Sequence, residues 1–191
     1  IISLRVALGG AQALYGIRPD LTTLGKIISG GMPMAAFGGR EDIMALFDPR
    51  QGPPAISQSG TFNAAAVCCA AGVAGYGAIT PAVQETIDRL AENLRSRANA
   101  LFRRLKVPAQ VVGVGSLFNF HFTEEPIVDY RAVMRGDRQT LALLALALMN
   151  RGIFLAPRGM GCTSSVMTQA EIDAFLAVLE GALVEDLGLG R

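Results

Sequence analysis

Glycine and proline interrupt the first third of this chain so often that only short structural elements fit between them. Glycine pairs stand at residues 30–31 and 38–39, and a Gly-Pro-Pro triplet occupies residues 52–54. Loops that approach a ligand closely need the backbone freedom of glycine. The pattern therefore predicts a loop-rich region, with an apolar segment at residues 33–37 and a helical turn at residues 41–47.

The rest of the chain carries the signals of longer elements. Small residues predict a tightly packed helix over residues 63–76, and Thr80-Pro81 is typical of the start of a helix, whose apolar spacing continues to Leu105. Apolar segments predict strands within residues 111–122, where the alternation is clear, and at 153–156. Apolar residues also predict a helix at 137–151, and a capping box predicts that the last helix begins at residue 168. Two α/β units joined by a long helix are the expected architecture.

Composition excludes several classes of protein. Of the 191 residues 51% are apolar and 17% are charged, whereas a disordered chain combines low hydrophobicity with high net charge. No apolar run reaches the roughly 20 residues of a membrane span, and no signal segment opens the chain, so we expect no membrane partner. The three cysteines lack the spacing of a metal site, and a reducing, cytoplasmic location is expected.

The net charge of +1 argues against a nucleic-acid partner. Basic residues concentrate only on one predicted helix, where they alternate with apolar positions, and this pattern favours a solvated helix face. The residues concerned are Arg95, Arg97, Arg103, Arg104 and Lys106.

The single histidine, His121, rules out a multi-histidine metal site, and no metal is expected. A Ser-His-Asp triad is also disfavoured, because no G-x-S-x-G turn is present to supply its nucleophile. His121 lies in an alternating segment, and a structural hydrogen-bonding role is the expected one.

Lys26 is unusual because glycines and apolar residues flank it on both sides. Such surroundings would partly remove water from the amine, and a neutral amine can attack a carbonyl to form a Schiff base. The alternative is a lysine that extends its charged end to water at the edge of a loop.

A second candidate feature is the segment Ser59-Gly60-Thr61-Phe62-Asn63, which immediately precedes the predicted alanine-rich helix. Backbone N–H groups at a helix N-terminus, together with the Thr61 hydroxyl, bind phosphate readily. The alternative is an ordinary Ser/Thr cap. A lysine that binds an aldehyde and a phosphate site are together what pyridoxal phosphate requires.

At this point the sequence resembles a known family. The segment Asp20-Leu-Thr-Thr-Leu-Gly-Lys-Ile-Ile-Ser-Gly-Gly-Met-Pro33, with Ala36-Phe-Gly-Gly-Arg40 after it, is similar to the Schiff-base segment of class III pyridoxal-phosphate aminotransferases, in the branch that contains glutamate-1-semialdehyde aminomutase. The likeness continues through residues 59–63, 113–116 and 168–173, so it covers essentially the whole chain.

The resemblance implies a fold, a cofactor and roles for four residues. Lys26 would form the Schiff base with pyridoxal 5′-phosphate and move the proton during amino transfer, and Gly60 and Thr61 would bind the cofactor phosphate across a homodimer interface. Leu155-Ala-Pro-Arg-Gly-Met160 looks more like the β-amino-acid aminotransferases of the branch, so Arg158 would bind a substrate carboxylate, for which a guanidinium is well shaped. The alternative for Arg158 is a surface loop arginine.

The implied fold is α/β, the C-terminal part of a fold type I aminotransferase. Residues 1–78 would end the large parallel-sheet domain, residues 79–105 would form the connecting helix, and residues 106–191 would form the small C-terminal domain. The aspartate that pairs with the cofactor's pyridine nitrogen in the family would precede Ile1. The chain is therefore expected to be about half of a longer protein, and to expose an apolar patch around residues 1–78 when it stands alone.

Three functions remain open from the sequence. The leading expectation is an aminotransferase that moves an amino group between an amino acid and an oxo acid, and the close alternative is a glutamate-1-semialdehyde aminomutase. The third is a non-catalytic fragment that serves only as a dimerisation or folding unit. A Schiff-base enzyme without a cofactor, such as an aldolase, is disfavoured by the segment around Thr61.

Overall fold

The structure, a computed structural model, describes residues 1–190 and divides into two compact units. The first unit comprises Ile1–Ala82 and the second begins at Val83. This boundary falls in the first turn of a long helix, Pro81–Leu105, so almost all of that helix belongs to the second unit. The assignment of the predicted segments to a large domain, a connecting helix and a small domain stays a prediction.

The first unit contains a two-stranded sheet, short helices and one longer helix. Its strands β1 and β2 pair antiparallel, from Leu21 opposite Gly39 to Leu24 opposite Ala36, so that residues 25–35 form a loop between them. The elements are α1 Gly10–Leu14, β1 Leu21–Leu24, β2 Ala36–Gly39, α2 Glu41–Met44 and α3 Ala66–Gly77, with 3₁₀ turns at Ser3–Arg5, Lys26–Ser29, Ala45–Phe47 and Pro49–Gln51.

The second unit packs helices against a three-stranded antiparallel sheet with the strand order β3-β4-β5. In this sheet Val111 lies opposite Phe120, and Phe118 lies opposite Gly161. The elements are α4 Pro81–Leu105, β3 Gln110–Val112, β4 Leu117–His121, α5 Tyr130–Arg135, α6 Arg138–Asn150, β5 Met160–Cys162 and α7 Gln169–Gly181, followed by a π turn at Ala182–Asp186.

Local capping signals place the helices of the second unit where the sequence predicted them. The Asp137 carboxylate accepts hydrogen bonds from the backbone N–H groups of Gln139 and Thr140, both at 3.0 Å, which caps α6. Thr168 and Glu171 form the predicted capping box at the start of α7.

A single apolar core holds the second unit together. Its fully buried centre combines Phe102 of α4, Phe120 of β4, Leu144 of α6 and Leu179 of α7. The rings of Phe102 and Phe120 meet edge to face with their centroids 6.1 Å apart, a favourable arrangement for aromatic pairs. Because Phe118 and Phe120 of β4 belong to this core, the core holds β4, which ends at His121, in place.

The strand predicted at residues 153–156 is wrong. The Ile153 N–H closes the C-terminal end of α6 through a 2.9 Å hydrogen bond to the Leu148 carbonyl, and the Phe154 side chain is exposed. Leu155 is buried, which explains the apolar signal. The strand lies instead at Met160–Cys162, where β4 offers a free edge for pairing.

The prediction of a fully solvated basic face on α4 is wrong at Arg95. This guanidinium is buried and donates hydrogen bonds to the carbonyls of Gly115 at 2.9 Å and Leu117 at 2.6 Å. Glu92 pairs with it at 2.8 Å. Arg97 and Arg104 are exposed and form ion pairs with acidic residues of α7, as a solvated face allows.

Within residues 1–190 we find no single helix that is both long and apolar enough to cross a membrane. By length and composition alone, only Ala66–Gly77 together with Pro81–Leu105, a pair bent by 75°, could do so.

Candidate active site

The strand pair β1–β2 holds both ends of the loop that contains Lys26. Arg40, directly after β2, donates to the Asp20 carboxylate just before β1 at 2.8 Å and to the Asp42 carboxylate at 2.6 Å. The Arg40 guanidinium lowers the pKa of the Asp42 carboxyl, so this pair stays charged at neutral pH. Backbone pairing and this exposed ion pair thus fix the two ends of the loop at residues 25–35.

Close packing of glycines fixes the middle of the loop against α3. A Cβ added to Gly30 would lie 2.0 Å from the Ala71 carbonyl oxygen, and one added to Gly72 would lie 2.6 Å from the Ile28 carbonyl oxygen. One added to Gly75 would lie 2.7 Å from the Gly30 Cα. These distances leave no room for a side chain, so the small residues predicted in this helix serve to seat the lysine loop.

Lys26 begins the 3₁₀ turn of this loop in a left-handed backbone conformation, with φ of 59°. For a residue with a Cβ this conformation costs about 1–2 kcal/mol, and such strain is concentrated at functional positions. The buried Ser29 hydroxyl donates to the Lys26 carbonyl at 3.0 Å and holds the turn. The Lys26 side chain is exposed in this unit, so the surroundings of its amine are open and the expectation of partial desolvation is not met.

The predicted phosphate segment does not adjoin the helix N-terminus. Helix α3 begins at Ala66, and its cap residue, Ala65, makes no side-chain capping bond. Two successive turns intervene, closed by Asn63 N–H to the Gly60 carbonyl at 3.0 Å and by Ala65 N–H to the Phe62 carbonyl at 3.2 Å. Thr61 is therefore not the helix cap, because these turns separate it from the first amides of α3.

The turn itself still presents hydrogen-bond donors to solvent. Gly60 and Thr61 are exposed, and among the described residues their backbone N–H groups and the Thr61 hydroxyl have no hydrogen-bond partner. Unpaired donors of this kind suit an anionic group. The role of this turn in binding phosphate remains a prediction.

Arg158 lies in the second unit, at the tip of a tight turn. The turn is closed by Gly159 N–H to the Ala156 carbonyl at 2.7 Å, and it is joined to β4 by Phe120 N–H to the Gly159 carbonyl at 3.1 Å. Gly159 has φ of 82° and lies so close to β4 that an added Cβ would be 2.7 Å from the Phe120 carbonyl oxygen. The Arg158 side chain is exposed on a firmly attached turn.

The predicted site residues are thus divided between the units. Lys26, Gly60 and Thr61 lie in the first unit, where α3 packs against the Lys26 loop and follows the Gly60–Thr61 turn, and Arg158 lies in the second. No group of three acidic, histidine or cysteine side chains suited to a metal occurs in the part of the chain that the structure describes.

Sequence reasoning missed a cavity of about 860 Å³ in the second unit. Arg158, Arg138, Asn119 and His121 all line it. The alternation along β4, which places Asn119 and His121 on one face, was the only signal available for this cavity.

Comparison with known proteins identifies the family. Residues 9–183 match the family model "Aminotransferase class-III". The chain therefore belongs to the class-III aminotransferases, as its lysine segment indicated.

The relatives found by sequence include enzymes of two kinds. The chain is 42% identical over 180 residues to the β-phenylalanine transaminase of Variovorax paradoxus, an alignment that covers 94% of this chain and 41% of that protein. It is 41% identical over 173 residues to a glutamate-1-semialdehyde 2,1-aminomutase of Roseiflexus castenholzii, covering 90% of this chain and 39% of the relative. The chain thus spans about two fifths of the length of the curated relatives it matches.

Solved structures confirm the predicted fold class. An ω-transaminase from Sphaerobacter thermophilus, 40% identical, superposes with a TM-score of 0.94 over 98% of this chain and 43% of its own. The β-phenylalanine aminotransferase of Variovorax paradoxus, 39% identical, gives a TM-score of 0.85 over 100% and 44%. The chain has the fold of part of a fold type I aminotransferase, consistent with the predicted C-terminal portion.

Proposed function

We propose that this chain is part of a pyridoxal-phosphate-dependent aminotransferase that transfers an amino group between an amino acid and an oxo acid through a Schiff base at Lys26. One observation carries the proposal: Lys26 stands in a strained left-handed conformation on a loop that close glycine contacts seat against α3. Membership of the class-III family supports it, as does a solved relative titled "Transaminase with PLP bound", which is 31% identical with a TM-score of 0.89 over 98% of this chain and 43% of its own.

The residues present fit the cofactor. The exposed primary amine of Lys26 matches an aldehyde, and the unpaired N–H and hydroxyl donors of Gly60 and Thr61 match a phosphate. When bound, pyridoxal phosphate supplies an electron sink for the carbon that carries the amino group. The contribution of this chain is to position the amine and to hold the anionic groups.

Each residue has a defined task in this proposal. The Lys26 amine takes the proton from the substrate carbon and returns it. The loop holds the Lys26 backbone in one place, and the flexible side chain allows Nζ the short movements that this transfer needs. Arg158 holds the substrate carboxylate through two parallel N–H···O bonds. Gly60 and Thr61 bind the phosphate from the neighbouring subunit of a homodimer. Exposed apolar side chains in this turn and in the first turn of α3, with Phe62 78% and Val67 65% exposed, support an interface there.

We also propose a cytoplasmic location, which is supported by Cys68 and Cys69, neither of which forms a disulfide within the part of the chain that the structure describes.

Borohydride trapping tests the role of Lys26. The chain is mixed with pyridoxal phosphate, a visible absorbance band is sought, and the labelled residue is mapped after reduction. Lys106 is the only other lysine in the sequence, so Lys106→Arg is a matched control for Lys26→Arg. We expect the band and the label to be lost in Lys26→Arg alone. Label on Lys106 in place of Lys26 would contradict the proposal.

The same trapping, repeated on a protein extended to the length of the relatives, separates a cofactor-binding enzyme from a non-catalytic fragment. A band that appears only in the extended protein shows that this chain alone does not hold the cofactor, as expected of a non-catalytic fragment. A band in neither protein contradicts cofactor binding altogether.

An aminomutase is the second candidate, because an aminomutase relative is 41% identical to this chain. The Arg158-Gly159 pair favours the transaminase. In the extended protein a transaminase requires a separate oxo acid to consume the amino group, whereas an aminomutase converts its substrate without one. A panel of amino donors assayed with and without an oxo acid therefore distinguishes them.

Arg158→Gln is expected to raise KM for the donor roughly tenfold or more, with Arg131→Gln as the exposed control.

A further inference from the structure

Asn119 of β4 has a buried side-chain oxygen that lacks a partner. Its Oδ1 atom accepts no hydrogen bond within residues 1–190. A Cβ added to Gly159 would lie 3.0 Å from this oxygen and 2.7 Å from the Phe120 carbonyl oxygen, so two acceptor oxygens border the same small space beside Gly159. Buried polar atoms are normally paired, and an unpaired acceptor therefore indicates a missing donor.

A half-turn of the Asn119 amide improves this arrangement. The last torsion of asparagine is broad and roughly two-fold, so the half-turn exchanges Oδ1 and Nδ2 at little cost in torsional energy. It breaks no hydrogen bond, because neither side-chain atom of Asn119 forms one with any residue that the structure describes. The Nδ2 donor then lies beside the Phe120 carbonyl oxygen, and Oδ1 faces the cavity that Asn119 lines.

Arg158 is a donor within reach of that oxygen. It lines the same cavity, and its exposed side chain forms neither an ion pair nor a hydrogen bond in the described part of the chain. Because Arg158 directly precedes Gly159, its Cα lies within about 9 Å of Asn119 Oδ1. An extended arginine side chain and one hydrogen bond cover that distance. Gly159, with φ of 82° and no Cβ, keeps the turn this close to β4.

An amide oxygen suits this task better than a carboxylate. It is neutral, so it accepts one N–H of the guanidinium and leaves the positive charge uncompensated. The remaining N–H donors still form the parallel pair of bonds that a carboxylate accepts. Asp137 also lines the cavity, but its carboxylate caps α6 through the Gln139 N–H and the Thr140 hydroxyl.

We propose that Asn119 is a positioning residue, whose Oδ1 atom accepts a hydrogen bond from the Arg158 guanidinium and holds it in the cavity with its other donors directed at the substrate carboxylate. The inference rests on the proposed function for the role of Arg158. Asn119 itself does not touch the substrate, so its loss should weaken the binding of the acid and leave proton transfer at Lys26 unchanged.

Arginine labelling of the 191-residue chain tests this contact without cofactor or substrate. Phenylglyoxal modifies arginines, and mass spectrometry compares the rate at Arg158 with the rate at the exposed Arg131 of the same sample. We expect Asn119→Leu to raise this ratio about threefold or more, because the guanidinium loses its acceptor. Asn119→Asp should lower the ratio by about the same factor, because a carboxylate holds a guanidinium more strongly than an amide does.

Gln139→Leu is the matched control, since it removes an exposed amide that also lines the cavity. It should leave the labelling ratio unchanged, and a rise equal to that of Asn119→Leu would overturn the proposal. An unchanged ratio in both Asn119 variants would overturn it as well. Thermal unfolding checks that Asn119→Leu is folded, and Asn119→Ala replaces it if it is not.

Kinetics of the protein extended to the length of the relatives test how Asn119 acts. Asn119→Leu should raise KM for the amino donor roughly threefold to tenfold and leave kcat within about twofold. In an Arg158→Gln background the same change should add less than about twofold, because Asn119 acts through Arg158. An equal effect in both backgrounds, or a loss confined to kcat, would overturn the proposal. Failure of the Lys26 trapping would contradict the proposed function, whereas the Arg158 labelling decides the Asn119 contact independently.

Discussion

Arg95 shows how one buried charge can join a helix to a sheet. Its guanidinium donates to two carbonyls, that of Gly115 just before β4 and that of Leu117 at the start of β4. Glu92 balances the charge from the exposed side. Breaking a buried pair of this kind is costly because acceptors and charge lose their partners together.

We predict that Arg95→Met lowers the free energy of unfolding by about 3 kcal/mol, because both carbonyls lose their donor while the apolar stem is retained. Arg97→Met, two residues further along α4, is the matched control. Arg97 forms an exposed ion pair with Asp173 and an exposed hydrogen bond to Asn93, so its loss should cost less than about 1 kcal/mol. Urea unfolding of both variants measures the difference, and equal losses would contradict the structural role of Arg95.

His121 makes the stability of the second unit depend on pH. Burial lowers the pKa of the imidazole below its ordinary value of 6.5, so the unfolded chain binds a proton that the folded chain does not. As the pH falls below 6.5, stability therefore decreases, by at most about 1.4 kcal/mol per pH unit. Urea unfolding at pH 7.5 and pH 5.5 measures this loss.

His121→Gln supplies the control for that measurement, since glutamine does not titrate. The carboxyl groups with lowered pKa, such as that of Asp137, lose their contribution only near pH 4 and below, outside this interval. The variant should therefore show a smaller change between the two pH values. A change as large as that of the natural sequence would assign the effect to another group.

At the scale of elements, α3 combines a helix with a seat for the lysine loop. Glycine in a helix interior normally costs about 1 kcal/mol relative to alanine. At Gly72 this cost is accepted because a Cβ would lie 2.6 Å from the Ile28 carbonyl oxygen. At Gly77, the last residue of α3, nothing lies within 4 Å.

We predict opposite effects for alanine at these two positions. Gly77→Ala should leave stability unchanged or raise it by up to about 1 kcal/mol, whereas Gly72→Ala should lower it by about 1–3 kcal/mol and displace the Lys26 loop. Thermal unfolding measures the first effect, and the rate of Lys26 labelling by an amine-reactive reagent measures the second. A stabilising Gly72→Ala would show that α3 does not hold the loop.

The elements predicted well are those whose signals are local. Asp137 and Thr168 cap helices with their own side chains, and the sequence shows this directly. The strand predicted at residues 153–156 was wrong because Leu155 is buried in the core without belonging to a sheet. Which segment pairs with β4 depends on contacts with that distant strand, and the sequence does not show them. Thr61 was misplaced by a few residues for a similar reason, since two turns that the composition did not reveal separate it from α3.

The candidate site was predictable only where a family motif marked it. The segment around Lys26 identified the class, and the match over residues 9–183 confirms it. The left-handed φ of Lys26, the burial of Arg95 and the cavity at His121 depend on contacts between residues far apart in the chain. No periodicity or spacing carries that information.

At the scale of the whole chain, the two units differ in how much apolar surface they bury. Large buried side chains such as Phe102 and Leu179 belong to the second unit, whereas the first exposes many, including Val67 and Phe62. This agrees with the apolar surface expected around residues 1–78. Local opening is easier where few apolar contacts are buried.

We therefore predict that hydrogen exchange of the 191-residue chain is slowest in α4, α6 and α7 and markedly faster in residues 1–82.

Leu144→Ala, which removes a side chain with no exposed surface, should lower the free energy of unfolding by about 3 kcal/mol and speed exchange throughout the second unit. Leu143→Ala, on the same helix but 49% exposed, should have little effect. If exchange in residues 1–82 is as slow as in α7, or if both leucine variants act alike, then the single core of the second unit is not what holds this chain folded. Slow exchange that spreads into residues 1–82 only when pyridoxal phosphate is added would instead show that ligand binding, through the Lys26 loop and α3, supplies the stability that the first unit's own core does not.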